Sequence, residues 1–222
     1  HRDLHSFPTR RSSDLWWQNF KGSFSHTIRT PRISPMALIL RCKVVLAGDG
    51  GVGKSALTQM FQSNGAIYPK NYIMTIPVDF CVKEVAIPEC DTAVELYLFD
   101  CAGNPLFKEA AVEHWSDASM IMLVYDVTNE SSFDHCASWL EEFAAARPEG
   151  TISGCVVANK IDLVERAVVA SQRGAEFARN HGLAFFETSA AAGNHVEDPF
   201  VWMAKSFQKV YEERREMFSH VL

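Results

Sequence analysis

The residues from Gly48 to Ser55 combine glycines, a lysine and a hydroxyl in the order that a phosphate-binding loop requires. They read GDGGVGKS and fit the pattern GxxxxGK[ST]. Backbone amides of such a loop cradle phosphate, and the helix that begins there adds its dipole. We therefore predict that Lys54 bridges the β- and γ-phosphates of a nucleotide and that the Ser55 hydroxyl holds Mg²⁺. The predicted nucleotide contacts of this loop are Asp49, Gly50, Gly51, Val52, Gly53, Lys54, Ser55 and Ala56.

The same letters contain a second motif, GxGxxG, which is typical of dinucleotide-binding folds. That interpretation requires an acidic residue about 20 positions later to hold a ribose hydroxyl, and the region around Tyr68–Tyr72 has none. It also leaves the Lys-Ser pair after Gly53 unexplained. We therefore favour the phosphate loop over the dinucleotide loop, and over a glycine turn with a purely structural role.

Asn159-Lys160-Ile161-Asp162 follows an apolar run later in the chain. In this position it resembles the NKxD motif of the small GTPases, which supplies their guanine contacts. The resemblance implies that Asp162 accepts hydrogen bonds from guanine N1–H and N2–H, a donor pair that adenine lacks. It also implies that Asn159 braces the loop and that the stem of Lys160 covers the base. Such a tetrapeptide alone is usually a polar turn, and its order after the phosphate loop makes it specific.

Two further strings match the small GTPases in the family's order. The string at 100–103 (DCAG) fits DxxG, which implies that Asp100 faces Mg²⁺ through water and that the Gly103 amide faces the γ-phosphate. The string at 187–190 (ETSA) fits a segment that contacts the nucleotide through Ser189 and Ala190. In that segment the Ala190 amide is expected to contact the guanine carbonyl oxygen.

The string at 72–80 (YIMTIPVDF) resembles the switch segment YxxTIGVDF of the Rab subfamily. It implies that Thr75 is the second hydroxyl ligand of Mg²⁺ and that Tyr68 lies over the base. Each residue also has a plain structural interpretation, Thr75 as a strand-edge residue and Tyr68 as a packed aromatic. The predicted metal ligands are thus Ser55, Thr75 and Asp100.

The Rab resemblance runs from about residue 41 to 211, with departures in the switch segments. Asn104 stands where the family has the glutamine that orients the attacking water, and Pro105 follows it. Pro77 replaces the glycine of the switch string, and the stretch between Ser55 and that string is longer than in Rab proteins. The catalytic candidates are Lys54, Gly103 and Asn104. Because Asn104 has a shorter side chain than glutamine, we expect slow intrinsic hydrolysis.

No cysteine follows Cys155 in the sequence, so we also expect no prenyl anchor. Together these departures resemble the Rab-like GTPase subunits of the ciliary intraflagellar transport B complex. The resemblance implies a GTP/GDP switch with Mg²⁺ in the cytoplasm and cilium or flagellum. It also implies pairing with a small β-sandwich subunit, and contacts with other subunits of that complex. Two alternatives stay open: an unprenylated Rab-type regulator of vesicle traffic, and a constitutive structural subunit whose nucleotide only stabilises the fold.

The elements that must position these motifs alternate between strands and helices. The predicted strands are Lys43–Ala47, Val78–Ile87, Val94–Phe99, Met120–Tyr125 and Gly154–Ala158. The predicted helices are Ala56–Phe61, Ser131–Arg147, Val168–His181 and Val196–Phe218. This alternation predicts an α/β fold wound on both sides of a sheet. The family resemblance implies a P-loop NTPase domain with a six-stranded, mostly parallel sheet, one antiparallel edge strand and helices on both faces.

The last predicted helix carries an apolar stripe that is expected to pack on the sheet. Its members are Val196, Phe200, Met203, Phe207 and Val210. Aromatic and apolar residues off this stripe, or beyond the sheet, are expected to form a partner surface. They are Trp202, Tyr211, Met217 and Phe218.

The 222 residues are 47% hydrophobic and 22% charged, which is enough apolar content for a core and excludes a wholly disordered chain. No stretch approaches the roughly 18 apolar residues of a membrane span. The six cysteines form no CxxC pair, which argues against a zinc finger and indicates reduced thiols. The net charge of −6 divides into +4 for residues 1–35 and −10 for the rest. Such an acidic body argues against nucleic acid as a partner.

The basic first segment is not expected to belong to the fold. Residues 5–15 (HSFPTRRSSDL) resemble the translation of a sequencing-library adapter, and residues 16–35 show no sustained period. Met36 then stands directly before an apolar run, as a native start would. We therefore assign residues 1–35 to a non-native or disordered leader and residues 36–222 to one GTPase domain with an extended C-terminal helix. A transit peptide is the alternative for the leader.

Overall fold

The computed structural model describes residues 38–87, 90–148 and 150–219. The expected leader at residues 1–35 lies outside this range. Within it, the strands in chain order are β1 (Leu38–Ala47), β2 (Val78–Ile87), β3 (Thr92–Cys101), β4 (Met120–Asp126), β5 (Gly154–Asn159) and β6 (Ala184–Thr188). The helices are α1 (Lys54–Gln62), α2 (Lys108–Val112), α3 (Glu130–Asp134), α4 (Cys136–Ala145), α5 (Ser171–Asn180) and α6 (Asp198–Ser219). Short 3₁₀ turns cover Pro105–Phe107 and Val164–Arg166.

The strands form one sheet in the order β2-β3-β1-β4-β5-β6. β2 pairs antiparallel with β3, and the other neighbouring pairs are parallel. β4 and β5 are buried along their whole length, as continuous apolar runs predict. The predicted six-stranded sheet with one antiparallel edge strand is therefore confirmed. Because β1, β4, β5 and β6 run parallel, the loops that leave them meet at one edge of the sheet.

Alternate residues of each strand point into one of two hydrophobic cores, so helices cover both faces as predicted. On one face α1 and α6 pack together, and the rings of Phe61 and Phe200 stack with 4.0 Å between their centroids. On the other face α3, α4 and α5 surround a core that contains the fully buried Trp115 and Tyr125.

The limits of all four predicted helices differ from the structure, two of them by only one or two residues at each end. The other two differ more. The helix expected over Ser131–Arg147 is divided into α3 and α4, because the Ser132 hydroxyl bonds the Asp126 backbone and ties the first turn to β4. The helix expected from Val168 begins at Ser171, because the amides of Val168 and Val169 both donate to the Val127 carbonyl. Those two amides are therefore held against the residue that follows β4.

The predicted apolar stripe of the last helix is correct in its first half and wrong at its end. Phe200 and Met203 are fully buried, but Val210 is 42% exposed because α6 continues past the sheet. Trp202, expected on a partner surface, instead packs edge-to-face on Phe186 of β6 at 5.9 Å. Tyr211 and Met217 are exposed, as expected. The side chain of Phe218 lies outside the described residues.

All six cysteines are free thiols. Burial raises the pKa of Cys42 and of Cys101 to about 12, so both remain protonated at neutral pH. This agrees with the expectation of reduced thiols. In the part of the chain that the structure describes, no helix combines the length and the apolar character needed to cross a bilayer.

Candidate functional site

A cleft of about 760 Å³ opens at the edge of the sheet where the parallel strands end. The phosphate loop after β1 forms its floor, and the segment from Tyr68 to Thr75 forms one wall. Gly103 and Asn104 also line the cleft, and so do Lys160 and Asp162. Most of the residues predicted from separate motifs therefore line a single cavity. Those of the predicted set that line it are Gly50, Gly51, Gly53, Lys54, Ser55, Ala56, Tyr68, Thr75, Gly103, Asn104, Asn159, Lys160, Asp162 and Ala190.

Lys54 is held at the floor of the cleft by the loop that precedes it. Its Nζ donates to the carbonyls of Gly48 and Asp49 at 2.7 and 2.8 Å. The side chain is buried, and this burial lowers the pKa of Lys54 below its ordinary value. A buried ammonium held by two neutral carbonyls is stabilised further by an anion. A phosphate in the loop would supply that charge.

The carboxamide of Asn159 joins three segments that are far apart in the sequence. Its Nδ2 donates to the Val52 carbonyl at 2.8 Å, inside the phosphate loop. Its Oδ1 accepts from Thr188 Oγ1 at 3.1 Å and from the Ala190 amide at 3.2 Å. Asn159 is almost completely buried. It therefore fixes the loop after β5 against both the phosphate loop and the segment after β6.

Two glycines allow this close packing. Gly53 has φ +103°, and a Cβ there would lie 2.2 Å from Asn159 Nδ2. A Cβ on Gly103 would lie 2.3 Å from the carbonyl carbon of Asp49 and from the Gly50 amide nitrogen. Both positions thus require a residue without a side chain. The DxxG segment consequently lies directly against the phosphate loop.

The three predicted metal ligands, Ser55, Thr75 and Asp100, are brought together. Ser55 Oγ donates to Asp100 Oδ2 at 2.5 Å and lies 3.1 Å from Thr75 Oγ1. Thr75 Oγ1 donates to the same carboxylate oxygen at 3.4 Å. Burial raises the pKa of Asp100. Its Oδ1 is one of two buried side-chain nitrogen or oxygen atoms that have no hydrogen-bond partner among the described residues. Two hydroxyls beside a carboxylate with a spare oxygen are the donors that Mg²⁺ takes, so these residues fit the predicted ion.

The residues predicted to bind the base come from the loops after β5 and β6 and from Tyr68. Asp162 has an exposed carboxylate, and its Oδ1 accepts a hydrogen bond from Ser189 Oγ at 2.5 Å. Ser189 therefore orients the Asp162 carboxylate, and it does not itself line the cleft. The Ala190 amide, predicted to contact the base, donates to Asn159 here. Tyr68 lines the cleft with 47% of its surface exposed.

Lys160 is fixed by a residue that the sequence analysis missed. Its Nζ lies 2.6 Å from Asp126 Oδ2. Burial raises the pKa of Asp126, but hydrogen bonds from Lys160 and Thr128 outweigh it and keep that pKa below its ordinary value. Asp126 pairs in register with Asn159 on the neighbouring strand. An acidic residue that ends a buried apolar strand was the available signal.

Three further predicted residues point away from the cleft or are used differently. The Asp49 carboxylate, assigned to the nucleotide, instead contacts α4 and the residue before it. Val52 is buried and contributes its carbonyl to Asn159. Asn104 lines the cleft, but its Oδ1 accepts from the Leu106 amide at 3.0 Å and its Nδ2 lies 3.5 Å from Met74 Sδ. The Asn104 amide therefore caps the 3₁₀ turn that follows it.

Comparison with known proteins relates this chain to a known protein family. The family model described as the Ras family matches residues 43–209. The chain is 44% identical to the intraflagellar transport protein 27 homolog of Bos taurus and 42% identical to that of Homo sapiens, in each case over 81% of this chain and 96% of the relative. It is 35% identical to Ras-related protein Rab-37 of Homo sapiens, over 81% of this chain and 78% of that protein.

The Asn159 network predicts a large loss of stability when the carboxamide is removed. Asn159→Ala leaves the Val52 carbonyl, the Thr188 hydroxyl and the Ala190 amide without their partner, and we expect the free energy of unfolding to fall by about 2–4 kcal/mol. Chemical denaturation measures this change. Asn180→Ala, at an exposed position at the end of α5, is the control and should change stability by at most about 0.5 kcal/mol. Equal effects of the two substitutions would contradict the network's role.

Proposed function

The chain belongs to the Ras family, and we propose that it is a GTP/GDP switch that uses Mg²⁺ and acts as a subunit of the intraflagellar transport machinery. Guanine nucleotide binding follows from the family. The observation that carries the proposal is the Asn159 network, because it ties the predicted phosphate site to the predicted base site across one cleft. A cleft lined by both the Lys54 ammonium and the Asp162 carboxylate suits a molecule that carries phosphates and a hydrogen-bond donor edge.

Guanine selectivity is assigned to Asp162. Guanine presents N1–H and N2–H to a carboxylate, and the hydrogen bond from Ser189 to Asp162 Oδ1 orients that carboxylate. Lys160 lines the same part of the cleft, where its pairing with Asp126 fixes the stem that is proposed to cover the base. These contacts are made by residues of the loops after β5 and β6 and by the last residue of β4, so they support selectivity more strongly than the tetrapeptide alone.

The phosphate end is assigned to the loop, to Lys54 and to the three oxygen donors. Burial makes an isolated Lys54 ammonium unfavourable, and a phosphate beside it would offset that cost. Lys54 is therefore proposed to neutralise phosphate charge. Ser55, Thr75 and Asp100 would hold Mg²⁺, which when bound neutralises charge on the β- and γ-phosphates. Thr75 lies in the segment predicted to switch, and its contact with Asp100 links that segment to the phosphate site.

Hydrolysis by the isolated protein is proposed to be slow. Asn104 is one methylene shorter than the glutamine found in the family, and its amide already caps the next turn. Its backbone is extended, with φ −90° and ψ 127°, as expected for a residue before proline. A Cβ at Gly50 would lie in ordinary van der Waals contact with the Gly103 carbonyl oxygen and the Tyr72 hydroxyl, both at 3.9 Å. The DxxG segment and the switch segment therefore pack close to the phosphate loop at this position.

The cellular setting is proposed from the comparisons. The intraflagellar transport protein 27 homolog of Homo sapiens is 42% identical to this chain, and Rab-37 of the same organism is 35% identical. This difference favours intraflagellar transport over vesicle traffic. We therefore assign the protein to the cytoplasm and the cilium or flagellum, as part of the transport B complex. Its proposed partner is a small β-sandwich subunit, and exposed Val210, Tyr211 and Met217 on α6 offer it a surface beyond the sheet.

The guanine assignment predicts a change of base preference. Asp162→Asn replaces one acceptor by a donor, which should weaken GDP binding by about tenfold to a hundredfold and favour xanthine nucleotides. Equilibrium competition with GDP, XDP and ADP measures the preference. Asp91→Asn, an exposed aspartate in the turn before β3, is the matched control. Effective competition by ADP in the wild-type protein would contradict the assignment.

The Asn104 geometry predicts an intrinsic hydrolysis rate at or below roughly 10⁻⁴ s⁻¹, the scale of unassisted Ras-type hydrolysis. Asn104→Gln should raise the rate, because the longer amide reaches further into the cleft. Single-turnover conversion of bound GTP to GDP provides the measurement. A wild-type rate tenfold above that scale would show that Asn104 does not limit the reaction.

The extension of α6 predicts separate roles for its two halves. Truncation after Lys209 removes Tyr211 and Met217 but keeps Phe200 and Met203 in the core. We expect nucleotide binding to be retained and association with the β-sandwich subunit to weaken. Calorimetric titration with that subunit tests the expectation, with Glu213→Ala in the exposed face as a control. Unchanged affinity after truncation would place the partner elsewhere.

A further inference from the structure

The carboxylate of Asp49 is held at both of its oxygens by α4 and the residue that precedes it. His135 Nδ1 lies 2.7 Å from Asp49 Oδ2, and Trp139 Nε1 donates to Asp49 Oδ1 at 2.9 Å. We call these three residues the Asp49 anchor. Asp49 belongs to the phosphate loop, whereas no residue of α4 lines the cleft and Trp139 belongs to the core that α3, α4 and α5 surround. The anchor therefore connects the loop to the core behind it.

The backbone of Asp49 takes part in the cleft although its side chain does not. Its carbonyl accepts one of the two hydrogen bonds that hold Lys54 Nζ, at 2.8 Å. Its carbonyl carbon is also one of the atoms against which Gly103 packs. A shift of Asp49 would therefore move both the acceptor that orients Lys54 and the surface that supports the DxxG segment.

The two donors of the anchor differ in how rigidly they are held. Trp139 is 4% exposed, and its ring contacts Trp115 at 6.2 Å. Lys108 Nζ lies 4.5 Å above the Trp139 ring and pairs with Glu142 of α4. His135 has 57% of its side chain exposed. Because the contact from Trp139 is buried and less screened by water, we expect it to matter more than the contact from His135.

We propose that His135 and Trp139 are positioning residues for nucleotide binding, which act through Asp49 to keep the phosphate loop in its binding conformation. The ligand whose release they slow is a guanine nucleoside diphosphate, so the inference rests on the proposed function. Neither residue touches the cleft. The anchor places a buried side chain of α4, rather than the loop alone, in control of how long the nucleotide stays bound.

The test measures dissociation of a fluorescent GDP analogue from the full chain, chased with excess GDP. Trp139→Phe keeps an aromatic ring but removes the indole N–H that donates to Asp49, and should speed release about three- to tenfold. His135→Ala should speed it about twofold to threefold. His135→Asn should restore the wild-type rate, because the Asn amide nitrogen takes the place of Nδ1. Ser138→Ala removes another hydrogen bond next to the anchor, to the His135 carbonyl, and should leave the rate unchanged.

A double-mutant cycle separates positioning from general destabilisation. In an Asp49→Ala background, Trp139→Phe and His135→Ala should cause no further change, because the carboxylate through which they act is absent. Additive effects in that background would overturn the inference. If Trp139→Phe does not fold, the exposed His135 variants still decide the outcome. Failure of the wild-type protein to retain GDP would overturn the proposed function along with the anchor, whereas normal retention with unchanged variant rates would overturn the anchor alone.

Discussion

The hydrogen bonds of the Asn159 carboxamide are the constraint on which the geometry of the cleft depends. They join the loop after β5 to the Val52 carbonyl of the phosphate loop and to the Ala190 amide after β6. In a buried environment each of these bonds is strong, and each is costly to leave unmade. The predicted phosphate site and the predicted base site are therefore held at a fixed separation by one side chain. Recognition of a molecule by both its ends requires this fixed separation.

The sheet topology lets the single side chain of Asn159 join these loops. Parallel strands deliver the loops after β1, β4, β5 and β6 to the same edge, so short side chains can bridge them. The register places Asp126 beside Asn159, which brings the partner of Lys160 next to the loop that carries it. Outside the cleft, His135 before α4 and Trp139 within it bind the Asp49 carboxylate. The phosphate loop is thus fixed from the cleft side and from the core side.

Buried charge gives the cleft its chemistry. Burial lowers the pKa of Lys54 and raises the pKa of Asp100, so both ions are destabilised in the protein interior. A bound phosphate and a bound cation would offset these costs at the two positions. The stability of the folded protein and its affinity for ligand are therefore coupled, because ligands that bind the native state stabilise it.

The sequence by itself determined the fold class, the strand alternation and the identity of the cleft-lining loops. These features are local: glycine spacing, a lysine before a hydroxyl, and apolar runs fix the conformation of short segments without reference to the rest of the chain. The structure alone decided which partners the side chains take. Asp49 faces a donor 90 positions away, Asn104 caps its own turn, and Val210 lies beyond the sheet. Such choices depend on how distant segments pack, and no local pattern contains that information.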